Sequence, residues 1–180
     1  MGRLIVLGFI LCFHSVLASS QGVYTKAPDL KKRTFIARVI RIMDGDTMEI
    51  LYQQTPTKVR LAHIDCPEKR GKQPFGNNAK KALSDLCFGQ NVTVYAEKYD
   101  RYRRLIAVVI NNKKQVVNQE MIKQGMAWHF KKYSTDLVYA QLEITARKNK
   151  VGLWKETNPT PPWEWRKSKH NNQVTESISK

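Results

Sequence analysis

The sequence predicts an α+β fold dominated by a β-barrel, with five short strands and three helices in one domain. Five short strand-forming runs lie between Thr34 and Ile110, separated by turn residues such as Asp44-Gly45 and Asn111–Lys114. A segment of helical periodicity interrupts them after the third run, and two more follow the fifth. The 180 residues are 42% hydrophobic, an ordinary share for one compact core.

The first strand is Thr34 to Ile42, TFIARVIRI, rich in β-branched residues. Asp44-Gly45 marks a tight turn, with Gly expected to supply positive φ. The return strand carries Met48, Ile50 and Tyr52 on one face and Thr47 and Glu49 on the other. After Thr55-Pro56 a third strand is expected from Lys58 to Ile64, completing a meander. A polar loop from Pro67 to Pro74 leads to a helix over Gly76 to Phe88. There Ala79, Ala82, Leu83 and Leu86 oppose Lys80, Lys81, Ser84 and Asp85, and Gly89 is the stop. Strands follow at Asn91–Glu97 and Arg104–Ile110. A short helix is expected from Asn118, read as its N-cap, to Gly125. The third runs from Asp136 to Lys148 with Val138, Leu142 and Ala146 inward, closed by Gly152. Five strands with a helix after the third is the order of a five-stranded OB-fold barrel.

The ends read differently from the middle. Arg3 precedes an apolar run, Leu4 to Phe13, too short to span a bilayer comfortably, and Val16 and Ala18 suit a cleavage site. Residues 1–18 are therefore read as a signal peptide, and the protein as secreted or periplasmic. Residues 19–32 read as a flexible arm, 33–166 as the folded domain and 167–180 as a disordered basic tail. Pro161, Pro162, Trp163 and Trp165 are expected to pack back on the domain. Export would put Cys66 and Cys87 in an oxidising compartment, where they either pair or remain buried thiols. No exposed apolar stripe announces a partner, so a monomer is expected.

Lys and Arg number 31 against 15 Asp and Glu, a formal charge of +16. Such a field attracts polyanions, nucleic acid first and anionic membrane or cell-wall polymers second. Hydrolysis of a phosphodiester needs charge neutralisation at the phosphate, a base for water, and cations for the transition state. Hard cations take oxygen ligands. Asp44 and Asp46 flank Gly45 at a hairpin tip, while Asp65 and Glu68 flank Cys66-Pro67 after the third strand. Arg60 lies upstream on that strand, and Arg101, Arg103 and Arg104 surround Tyr102. Singly, each has a plainer reading: Asp44-Gly45 as turn chemistry, the other acids as surface solubilisers, Arg60 as an ion-pair partner, Arg101 and Arg103 as a solvated turn. His63 and His129 show no metal-ligand spacing and read as structural or surface histidines.

The ordered set Asp44-Gly45-Asp46-Thr47, Arg60-Leu61 through Asp65-Cys66-Pro67-Glu68, and Asp100-Arg101-Tyr102 through Arg104 resembles staphylococcal nuclease and its bacterial relatives. Phe75-Gly76, Val117-Asn118, Gly125-Met126-Ala127 and Gly152-Leu153-Trp154 extend the likeness over about Thr34 to Trp165. The resemblance implies a Ca2+-dependent nuclease that cuts DNA and RNA to leave 3′-phosphate and 5′-hydroxyl ends. It implies Asp46, Asp65 and the backbone carbonyl of Cys66 as calcium ligands, with Asp44 supporting them. Glu68 matches the general base, and Arg60 and Arg104 the guanidinium groups that grip the phosphate. Tyr102 and Tyr133 fall where the family places aromatics around the bound nucleotide, and Arg101 and Arg103 are read as general electrostatic contacts to nucleic acid. Three departures stand out: Arg103 for a glycine, a shorter loop between Glu68 and Phe75, and the Cys66 side chain. A non-catalytic OB-fold that binds nucleic acid is the alternative.

Overall fold

The computed structural model describes residues 28–169; the leader expected at 1–18, residues 19–27 of the arm and residues 170–180 lie outside them. Five strands close a barrel in the order β1 (Thr34–Ile42), β2 (Thr47–Tyr52), β3 (Thr55–Leu61), β6 (Leu105–Ile110), β5 (Asn91–Tyr99). All neighbours are antiparallel except β3 and β6, which run parallel with Val59 opposite Leu105. Alternation fills the interior. Phe35, Ala37 and Val39 point inward from β1, and a bulge between Val39 and Arg41 shifts the parity so that Ile42 does too. Val39, Met48, Ile50, Val59, Val94, Leu105 and Val109 are wholly buried, and each such side chain contributes roughly 1.5–3 kcal/mol.

The β2–β3 turn is Gln53-Gln54, with φ of 45° and 62°, rather than Thr55-Pro56. Two left-handed residues suit the twist of a two-residue hairpin, so Thr55 and Pro56 join β3, paired with Tyr52 and Leu51. The expected third strand also ends early. His63, at φ 67°, turns the chain after Leu61, and Ile64–Asp65 forms a separate strand, β4, paired with β7 (Trp128–His129). At the other turn Gly45 does not adopt positive φ. A Cβ there would stand 2.7 Å from that of Ala79 and 2.8 Å from that of Cys66, so close approach excludes a side chain.

Helix α1 (Gly76–Cys87) is as expected, burying Ala79, Leu83 and Cys87. α2 (Val117–Lys123) starts before Asn118, which is not its cap. The Asn118 side chain is buried: it accepts from Val109 N–H (3.0 Å) and donates to the carbonyls of Ala62 (3.0 Å) and Ala107 (3.1 Å). α3 (Leu137–Lys148) is capped by Asp136, which accepts from Val138 N–H at 2.8 Å. Its inward face is Tyr139, Glu143 and Ala146, because Glu143 is buried against Arg147 and Lys131 and Val138 turns outward. Leu137, Val138 and Ile144 are exposed on α3, which removes the basis of the monomer expectation.

Two boundaries shift. Leu30, assigned to the arm, is buried, and its N–H reaches the Tyr99 hydroxyl at 3.3 Å. Residues 162–169 form a fourth helix, α4, so 167–169 are helical. Trp163 docks this helix as expected, stacking on Phe130 (5.5 Å, 5°) and meeting Trp128 edge-on (5.7 Å), and Trp165 lines a pocket with Gln73, Phe75 and Thr160. Cys66 and Cys87 are both free and buried, and burial raises the Cys87 thiol to about 12.

Candidate active site

The strand register assembles the acids. Thr47 opens β2 opposite Arg60 on β3, so Asp46, one residue earlier, lies beside the Arg60 guanidinium. The Leu61 N–H donates to the Asp46 carbonyl at 2.9 Å, tying the tip of the first turn to the end of β3. Two residues beyond His63, β4 holds Asp65 against Trp128, with only 1% of the residue exposed. Arg60 then bridges both acids: Nη1 pairs with Asp46 and Nη2 with Asp65 Oδ1 at 2.9 Å.

Each carboxylate is held by further groups. Asp46 accepts from the Thr47 hydroxyl at 2.9 Å and from the Cys66 N–H at 3.1 Å. Asp44 accepts from the Gly45 N–H at 2.9 Å and stands close to the Lys69 N–H. Glu68 is set by Gln73, whose side-chain carbonyl accepts from the Glu68 N–H (2.9 Å) while its amide donates to the Thr160 carbonyl (2.8 Å). Burial pushes the carboxyl groups of Asp44, Asp65 and Glu68 above their ordinary range, the nearby guanidiniums only partly opposing it. Burial is also the main cause that drives the Cys66 thiol far up, which keeps it protonated and inert.

Arg104 enters from the β5–β6 turn. Asp100 grips it through Nε (2.8 Å) and Nη2 (2.7 Å), and Nη1 faces the Thr47 hydroxyl at 3.5 Å. The contacts Arg104–Thr47–Asp46–Arg60–Asp65 thus run unbroken across one barrel mouth. Arg103 sits at φ 60°, the left-handed region that a glycine would enter without cost. Tyr102 is 65% exposed beneath the Arg101 and Arg104 guanidiniums, at 4.8 and 5.6 Å.

Beside the acids opens a cleft of about 770 Å³, walled by Arg101, Lys131, Lys132, Tyr133 and Lys167. It brings Arg101 and Tyr133 together; Tyr102 and Arg103 stand outside its wall. His63 and His129 both hydrogen-bond the Ser134 hydroxyl, at 2.9 and 3.0 Å, and face Tyr139, a structural role.

Sequence reasoning did not single out Arg166. From α4 it places Nη2 2.6 Å from Asp65 Oδ2 and Nη1 2.5 Å from Glu68 Oε1, with Asp65 Oδ1 at 3.3 Å. Burial works against its charge, but the bonds to Asp65 and then Glu68 hold it firmly protonated. The signal available was Pro162, suited to the first turn of a helix, followed by two tryptophans to dock it. Which way Arg166 points follows only from that docking.

Among the described residues no three His, Cys, Asp or Glu side chains converge as a metal cage. The donor chemistry still fits a hard dication. Asp46 and Asp65 offer hard oxygens bridged by one guanidinium, and calcium completes such sets with backbone carbonyls and water. Arg60 and Arg166 neutralise these carboxylates.

Residues 58–156 match the family model described as staphylococcal nuclease homologue. The chain is 42% identical over 160 residues to an uncharacterized endonuclease of Haemophilus influenzae, covering 88% of each. It is 38% identical over 147 residues to a micrococcal nuclease of Shigella flexneri, covering 76% of this chain and 83% of that one. A staphylococcal-like nuclease of Arabidopsis thaliana is 38% identical over 146 residues, 81% of this chain and 43% of its own length.

Proposed function

Because the chain belongs to the staphylococcal nuclease family, we propose that this barrel mouth is the active site of a calcium-dependent endonuclease acting on DNA and RNA. The family membership makes the chain a hydrolase of phosphodiester bonds. The observation that carries the site is the Arg60 bridge between Asp46 and Asp65, with Glu68 and Arg104 at the same mouth.

Asp46, Asp65 and the Cys66 carbonyl would hold calcium, which would supply positive charge where an anion attacks a phosphate. Glu68 takes the proton from a water as its oxygen attacks phosphorus. The O5′–P bond breaks and the departing O5′ takes a proton from solvent, while the Glu68 carboxyl returns its own to solvent, leaving phosphate on the 3′ side and a hydroxyl on the 5′ side. Arg60 and Arg104 bring their charge to the non-bridging oxygens, whose own charge grows in the transition state. Asp44 secures the turn that carries Asp46 through the Gly45 N–H. The basic cleft at Arg101, Lys131, Lys132 and Tyr133 receives the strand, positive charge on phosphates and the Tyr133 ring on a base. Export as a secreted or periplasmic protein rests on the composition of residues 1–18.

The test is the chemistry of the product ends on matched DNA and RNA oligonucleotides. New 5′ ends that accept label from polynucleotide kinase without prior dephosphorylation, beside phosphatase-sensitive 3′ ends, support the scheme. Products with 5′-phosphates on either polymer would refute the direction of cleavage.

A further inference from the structure

Arg166 pairs with both Asp65 and Glu68, yet it has no part in the scheme above. We propose that Arg166 is a latch: in the resting enzyme its guanidinium fills the cation position at Asp65 and Glu68, and metal binding requires it to swing into the basic cleft. The proposal rests on the active-site reading, since it concerns the same two carboxylates.

Three observations carry it. The first is geometric. Nη2 and Nη1 form a fork on Asp65 at 2.6 and 3.3 Å, and Nη1 adds the 2.5 Å contact to Glu68. A dication on the same carboxylates would meet the guanidinium's positive charge at these distances, so the two compete for Asp65 and Glu68. The second is an asymmetry of burial. Asp65 has 1% of its side chain exposed and Arg166 has 42%, so the arginine can leave towards water while the acid stays. The third is location. Arg166 also lines the cleft beside Arg101, Lys131, Lys132 and Lys167, where a polyanion offers its guanidinium phosphates in exchange for carboxylates. α4 is docked by Trp163 on Phe130 and Trp128, so the arginine can turn about its own stem while the helix stays in place.

A competitor inside the molecule weakens the apparent affinity by the fraction of time the site stands open. Removing it therefore tightens metal binding. By linkage, a strand that draws Arg166 away tightens calcium binding too, and calcium tightens strand binding by the same factor.

The experiment is calorimetric titration of calcium into the metal-free protein without nucleic acid, for the parent, Arg166→Gln and Arg166→Ala. Both variants are expected to bind about tenfold more tightly, the removal of roughly 1.4 kcal/mol of competition. Their near-ultraviolet dichroism should match the parent's, since the docked tryptophans dominate it. If the neutral variants lose that signal, Arg166→Lys decides: it keeps the stem but not the fork, and an affinity between those of parent and open site is expected. Equal or weaker calcium binding in a folded variant overturns the latch and leaves the active-site reading intact. No calcium binding by any form, parent included, removes the metal site and the latch together.

Discussion

Asp100 and Arg104 hold one another across the β5–β6 turn, the carboxylate accepting from the Arg104 N–H at 2.9 Å and from its Nε at 2.8 Å. A second nitrogen, Nη2, lies at 2.7 Å, so one face of the guanidinium is fixed and Nη1 is left towards Thr47 and the acids. Asp100 therefore aims Arg104 while standing outside the reacting atoms. Asp100→Asn is expected to lower kcat at least about tenfold, a barrier increase near 1.4 kcal/mol, with a small change in Tm. The bonds from Arg104 outweigh burial and hold the Asp100 carboxyl below its ordinary value of 3.8. Its contribution to stability is therefore full above pH 3.8 and is lost as pH falls through the lower folded value. Melting curves of parent and variant should accordingly converge in acid; a gap that widens below pH 3.8 would contradict the assignment.

Glu68 and Arg104 carry different duties and should fail differently. Glu68→Gln keeps the shape but removes the base, and turnover is expected to fall by roughly 10²–10⁴ with oligonucleotide affinity nearly unchanged. Arg104→Lys keeps the charge but loses the planar fork, so kcat is again expected to fall steeply. Single-turnover rates beside equilibrium binding check both, and near-full activity in either variant would sink the corresponding role.

Asn118 is a structural clamp between α2 and two strand ends. Asn118→Ala leaves the Val109 N–H and the Ala62 carbonyl unpaired in the interior, whereas the Ala107 carbonyl keeps the Ala62 N–H. Each orphaned group costs roughly 1–3 kcal/mol, so a loss of about 3 kcal/mol is expected in urea unfolding. A loss within 0.5 kcal/mol, the usual range of a surface substitution, would contradict the clamp.

Arg103 adopts φ 60° in the turn that presents Arg104. Relief of that conformation in Arg103→Gly is expected to raise stability by about 0.5–1 kcal/mol, since glycine enters the left-handed region freely. The hydrogen bond from Arg103 N–H to the Asp100 carbonyl (3.0 Å) is a backbone bond and survives the change, so activity is expected to be retained. Thermal melts and a parallel rate measurement check this; a destabilised variant would show that the arginine side chain itself holds the turn.

The barrel was legible because its strands carry their own signal. Phe35, Ala37 and Val39 alternate, and Asp136 caps α3 with a local bond. What escaped the sequence depends on partners far along the chain. Asn118 has the chemistry of a cap and of a buried clamp alike, and only Ala62, 56 positions earlier, decides between them. Glu143 breaks the apolar pattern of α3, so Val138 was read inward in place of Tyr139 while Leu142 and Ala146 were placed correctly; burial of the Glu143 carboxylate is made tolerable by Arg147 and Lys131. β4 and β7 have two residues each, too few for any period. Of the site, the acids and Arg60 were readable as an ordered set, whereas Arg166 reaches Glu68 across 98 positions through the docking of a helix.

Metal dependence of this site is tested by cleavage of end-labelled single-stranded DNA by the purified protein with calcium and with a chelator. Cleavage with calcium that stops when the metal is withdrawn is the expected result. Cleavage undiminished by the chelator, or salt-sensitive binding with no cleavage in any metal, would contradict a metal-dependent phosphodiesterase at Asp46, Asp65 and Glu68.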